Sequence, residues 1–206
     1  MTTTPQPQTA PRRHVLLTLT VVWLVIALVV SFMGIPQRMV PPTPQIIVLG
    51  LTVLLLVASW LYWPLRSWVL TCDWRAIVEI HLIRLIAGAG FLYAGSKGKF
   101  PTQFATMAGW GDIAVALLAL LLILLVAPHR SFAPWAYGIW NTLGLLDILH
   151  VVFDASRNAM ADRYSMAEML RPPFVLLPLF VVPILIASHI WLYERIIHRA
   201  RGLERD

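Results

Sequence analysis

The stretch that constrains this chain most is Tyr137 to Asp154, YGIWNTLGLLDILHVVFD, which is apolar enough to cross a membrane yet carries Asn141, Asp147 and His150 within it. Ionisable groups inside such a segment are costly and have to face protein or water. At about 100° per residue, Trp140, Gly144, Asp147, His150 and Asp154 fall within roughly 120° of one another on a helix. One face is therefore small or polar and the rest greasy, so that face has to meet other helices.

The remainder of the chain has the same character. Of 206 residues, 59% are hydrophobic and 13% charged, which lies outside the range of a soluble domain. The Leu, Val and Ile runs are unbroken, whereas a membrane barrel alternates apolar and polar residues. The expected class is all-α, a polytopic six-helix transmembrane bundle. Its spans are read at His14–Gly34, Ile46–Trp68, 76–95, Trp110–Pro128, Tyr137–Asp154 and 173–196. Residues 1–13 read as a disordered cytoplasmic tail, 14–198 as the transmembrane domain and 199–206 as a second cytoplasmic tail. The first apolar run is longer than the core of a signal peptide and has no small-x-small cleavage site, so it reads as a retained helix.

The formal charge of +6 does not indicate nucleic acid, because the basic residues sit in short connections and at the ends, where the lipid bilayer is the partner. They also give an orientation. With the N-terminus inside, Arg12, Arg13, Arg66, Arg75, Arg130, Arg195, Arg199, Arg201 and Arg205 are cytoplasmic, against Arg38, Lys97, Lys99, Arg157, Arg163 and Arg171 outside. The bias puts both termini in the cytoplasm. The lone cysteine, Cys72, excludes an intrachain disulfide and a thiolate metal site.

Three segments interrupt the apolar pattern. SKGKFPTQFATMAGWGD, 96–112, reads as a partly inserted loop between helices 3 and 4, with Asp112 in the first turn of the helix that follows. The polar stretch 154–173 reads as an amphipathic helix lying on the surface. Pro178 and Pro183 fall inside the sixth span, where each removes a helix hydrogen bond and predicts a kink.

Two motifs, FPTQFATMAGWGD at 100–112 and WNTLGLLD at 140–147, are similar to the FPxxFAxxAGWGD loop and WNxxGLLD helix of an uncharacterised family of small multi-pass bacterial membrane proteins. The resemblance runs from about His81 to the sixth span. It implies a bacterial inner (cytoplasmic) membrane location and brings no activity with it.

Height along each span sorts the polar residues into two clusters. His81 and Arg84 lie roughly 8 and 12 Å from the cytoplasmic end of helix 3, and His189 roughly 6 to 8 Å from that side in helix 6. Asp112, Asp147, His150 and Asp154 lie on the outer side, on the order of 15 Å away. Histidine pairing between helices, a lipid or anion pocket at Arg84 and a haem held by His81 and His189 are the readings of the inner cluster. The outer cluster suits a cation or proton-coupled site, or zinc, manganese or iron held by Asp112, Asp147, His150 and Asp154. Arg84 needs an anion, and Asp147 is the carboxylate well inside a span, so a buried Arg84–Asp147 pair is expected.

No GxSxG or HExxH motif, phosphate loop or dinucleotide fingerprint is present. The leading expectation is handling of a small polar solute or ion in an outward-facing intramembrane pocket formed by Arg84, Asp112, Asn141, Asp147 and His150. A metal-dependent membrane enzyme and an accessory subunit of a homo- or hetero-oligomer are the alternatives. Cofactor and substrate identity are not legible.

Overall fold

The computed structural model describes residues 10–201, with side chains over 14–201. The tail read at 1–13 lies outside the described residues up to residue 9, and so does the tail at 199–206 from residue 202 on. Six helices are long and apolar enough to cross a membrane: His14–Phe32, Thr43–Leu61, Trp74–Ser96, Thr102–Leu125, Ala133–Ala161 and Leu177–Ala200. By the length and composition of these helices the chain is a multi-pass membrane protein. No strand occurs among the described residues.

Helix α1 (Ala10–Phe32) ends where Gly34 takes a left-handed φ of 71° and the prolines of IPQRMVPPTPQ begin. Helix α2 (Thr43–Leu61) stops short of the expected Trp68. Pro64 has no N–H with which to continue it, Tyr62 turns extended, and α3 (Trp63–Thr71) starts afresh with Pro64 in its first turn. Asp73 then caps α4 (Trp74–Glu79) by accepting the Arg75 N–H at 2.8 Å. A 3-10 turn, Ile80–Leu82, joins α4 to α5 (Ile83–Ser96), completing the third span.

The loop expected over 96–112 is replaced by helix. Only 97–101 connects, and α6 (Thr102–Leu125) begins after Pro101. Gly109 and Gly111, which resemble helix breakers, are the points of closest approach to neighbours: a methyl group on Gly88 would sit 2.5 Å from the Gly109 carbonyl oxygen. Close packing of this kind offsets the helix penalty of glycine, and inside a membrane a helix satisfies its own backbone. Asp112 is accordingly more than two turns inside α6 and is not its cap.

The amphipathic surface helix expected at 154–173 is also replaced. Helix α7 (Ala133–Ala161) runs straight through its first part, and the rest is a connection holding a 3-10 turn at Ala167–Leu170. The apolar stripe of α7 simply continues past Asp154, which is itself buried. The sixth span does depart from regular helix at its prolines, with a π turn at Leu177–Val181 leading into α8 (Val182–Ala200). Pro183 cannot donate to the Leu179 carbonyl, and the Trp23 indole N–H of α1 takes that oxygen at 3.1 Å.

The α1 start and the α8 end lie at one end of the bundle, here called the near end. An apolar cluster around Trp74, Tyr137 and Trp191 fills the near half, and a second one around Phe91, Phe100 and Phe104 fills the far half. Near-end connections are closed by arginines: Arg195 donates to the Val69 and Leu70 carbonyls, and Arg199 to Pro128. The helix positions between the two apolar clusters carry a polar layer.

Candidate functional site

Arg84, on α5, is fully buried and sits in that layer. A guanidinium in hydrocarbon requires acceptors for its N–H groups and a counter-charge. Its Nε donates to Asp112 Oδ1 on α6 at 2.6 Å, its Nη2 to Asp147 Oδ2 on α7, and its Nη1 to the Gly144 carbonyl at 3.1 Å. The expected Arg84–Asp147 pair is thus present, as part of a triad. One positive charge faces two carboxylates, so with both ionised the cluster carries an excess of one negative charge.

The two carboxylates face different spaces. Asp112 is 6% exposed and lines a half-open cavity of about 120 Å³ between α2, α5, α7, the π turn and the connections at the far end. Its wall is mostly apolar, from Phe91, Ile148, Met166 and Leu177, with Arg84 and Asp112 together on it and the exposed Arg163 as a third charged member. Asp147 lines a separate surface hollow between α6 and α7, shared with Met107 and His150. It fits there because Gly111 is opposite: any β-carbon at 111 would run into Asp147 Oδ1.

A second set of polar groups continues from the triad toward the near end. Asn141 Nδ2 donates to the His189 carbonyl at 3.0 Å, which turns its Oδ1 toward His189 Nδ1 at 2.7 Å. An amide oxygen only accepts, so Nδ1 carries the proton and His189 Nε2 is a bare acceptor. Likewise Ser188 Oγ spends its hydrogen on the Leu185 carbonyl at 2.8 Å, so it accepts from His81 Nε2–H at 2.9 Å. Among the described residues the other ring nitrogens, His81 Nδ1 and His189 Nε2, have no hydrogen-bond partner.

The inner and outer clusters expected to lie on the order of 15 Å apart are one contiguous layer. Gly144 joins them: its carbonyl holds Arg84, and a methyl on it would lie 2.8 Å from His189 Cε1. Asn141 belongs to the histidine side and does not line the Asp112 cavity.

The haem reading of His81 and His189 does not fit. Their ring centroids are 4.3 Å apart and the rings are tilted by 48°, which leaves no slab for a macrocycle between them. Trp140 closes the other edge, 5.0 Å from His81. The metal-enzyme reading lacks its ligand set as well. Among the described residues no three His, Cys, Asp or Glu side chains converge on one point. Asp112 and Asp147 are both committed to Arg84, and Asp154 pairs with Arg157 at 2.7 Å.

Sequence reasoning missed Ser188 and the role of the Gly144 carbonyl. Small residues at buried positions are the only signal for either, and that signal does not distinguish packing from hydrogen bonding. Compared with known proteins, residues 42–197 match the family described as Domain of unknown function (DUF8737). No curated protein and no solved structure matches the chain.

Proposed function

The chain belongs to the DUF8737 family, a domain of unknown function, and we propose that it binds and moves a small amphipathic molecule bearing a cationic or hydrogen-bond-donating group through its intramembrane cavity. The observation that carries this reading is the charge imbalance at Arg84, together with the position of Asp112 on the cavity wall. Interior prolines and a broken sixth helix beside the cavity add support, since transport sites are built around such interruptions. Apolar walls and the excess negative charge of the Arg84 triad, with Asp112 on the wall and the exposed Arg163 the further charged group of the lining, favour a ligand with an apolar body and a positive head over a fully polar solute.

Butylammonium is a suitable probe, added to the purified protein in detergent and followed by isothermal titration calorimetry. Binding is expected in the native chain, at least about tenfold weaker in Asp112→Asn, the loss of one charge-assisted contact, and unchanged in Asp154→Asn. Equal binding by Asp112→Asn and the native chain would remove the site, and the accessory-subunit reading would replace it.

We propose further that the protein resides in a bacterial inner membrane with both termini in the cytoplasm, on the strength of the basic-residue bias toward the near end. A reporter active only outside the cell, fused after Asp206, should stay silent. Activity there would invert the topology.

A further inference from the structure

Arg84 is shared by two carboxylates that open to two different spaces, and that arrangement couples them. Asp112 faces the half-open cavity and Asp147 the surface hollow, while both bond the same guanidinium. The hollow continues as a polar stripe. Asp147, His150, Asp154 and Arg157 follow one another at helical spacing along α7 toward the far end, where the Arg157 side chain is 63% exposed. The Asp147 side chain is 23% exposed against 8% for Asp112, so Asp147 is the more accessible of the two carboxylates.

We infer that Asp147 is a proton-binding site reached along this stripe, and that through Arg84 its protonation is linked to release of a cation from Asp112. The inference rests on the cation-binding reading of the cavity. The charged and titratable groups around Asp147 are Arg84 from α5, Asp112 from α6 and His150 from its own helix, with His189 of α8 beyond Gly144 and His81 against His189.

The steps balance. A hydronium ion arriving from the far end gives its proton to Asp147, forming an O–H bond on the carboxylate and leaving water. Arg84 keeps its charge and its bond to Asp112. The triad goes from an excess of one negative charge to none, so a monovalent cation held at Asp112 loses the charge that retained it. One proton enters as one cation leaves, and deprotonation of Asp147 resets the site. Toward the near end, beyond Asn141, His189 and His81, the apolar cluster around Trp74 and Trp191 closes the polar layer, so the proposed proton route runs along α7 toward the far end.

Two measurements on the full-length protein test this, and the first needs no ligand. Infrared difference spectra taken from about pH 8 down to about pH 3, below the ordinary carboxylate value, should show the carbonyl stretch of a buried carboxylic acid appearing in the native chain. It should vanish in Asp147→Asn, persist in Asp112→Asn, and return at a shifted frequency in Asp147→Glu. A band that follows Asp112 in place of Asp147 overturns the assignment. The second measurement is butylammonium titration across the same range. Native affinity should fall about tenfold per pH unit below the titration of Asp147, with close to one proton exchanged per cation. Asp147→Asn should bind weakly with no pH dependence, and retention of the native pH dependence in that variant refutes the coupling. If the native chain binds no butylammonium, the cavity reading and the linkage both fail, while the infrared result still decides whether Asp147 takes the proton.

Discussion

Trp23 of the first span donates its indole N–H to the Leu179 carbonyl of the sixth, the acceptor that Pro183 leaves open four residues on. Its ring also meets Phe180 edge-on, with centroids 4.9 Å apart. Most of α1 faces outward, so this contact is a large part of what holds α1 to the bundle. Trp23→Phe keeps the ring and removes the donor. It should cost about 1 to 3 kcal/mol, the penalty for an unsatisfied acceptor away from water. In a Pro183→Ala background the helix supplies its own N–H, and the same change should cost far less. Thermal melting of the four proteins in detergent gives the cycle, and equal losses in both backgrounds would contradict it.

Arg84 answers to two carboxylates, and that alters what its removal does. Arg84→Leu strands Asp112 and Asp147 together, and losing one partner of a buried pair alone costs about 3 to 5 kcal/mol. Little folded protein is expected. Adding Asp147→Asn alone should recover less than adding both Asp112→Asn and Asp147→Asn. Monodisperse yield on size exclusion ranks the variants, and full recovery from the Asp147 change alone would mean that Asp112 is not a true partner.

The same substitution should act with opposite sign at two glycines. No described residue lies within 4 Å of a β-carbon at Gly50, so Gly50→Ala removes a flexible helix residue and should stabilise by about 0.5 to 1 kcal/mol. At Gly111 the β-carbon would collide with the Asp147 carboxylate. Gly111→Ala should lower the melting temperature and shift the infrared band of Asp147, because the carboxylate has to leave Arg84.

Cys72 lies in the connection between the second and third spans. Burial pushes its thiol from the ordinary 9.0 up to about 11. Since the thiolate is the reactive form, alkylation of the folded protein should be slow at neutral pH and keep rising with pH until about 11. In a denaturing detergent the rise should level off about two units earlier, near the ordinary thiol value. Fast labelling of the folded chain at neutral pH would show that the site opens.

What could be read from sequence depended on whether a residue's need was local. Arg84 inside an apolar span needs an anion whatever its surroundings, and Asp147 was within reach by height alone, so that pair was legible. Asp112 was expected in the first turn of its helix and lies more than two turns inside it. Its neighbours Gly109 and Gly111 resemble breakers, and only the packing of α6 on α5 makes them helical. The prolines of the sixth span announced an irregularity because a missing N–H is a property of the residue itself.

The histidine side was not legible in the same way. His81 and His189 were matched in depth, but which ring nitrogen each presents follows from Asn141 and Ser188, and those contacts depend on how the helices are rotated. Residue spacing fixes the face of one helix and says nothing of the angle between two. The same gap split one polar layer into two clusters, since Gly144 joins them with a backbone carbonyl and has no side chain to reveal it.

The seam between Gly88 and Gly109 leaves α5 and α6 with no room to slide, so this pair is the stator of the bundle and carries Arg84 and Asp112 as a fixed reference. Slack is concentrated opposite it, in the extra residue that the π turn at Leu177–Val181 inserts into the sixth span. Passing that residue one place along the helix would turn the intervening side chain by roughly 100° while every backbone bond is remade. Leu177 and Val181 wall the cavity at this turn, so such a shift would reshape one wall of the cavity beside Arg84 and Asp112.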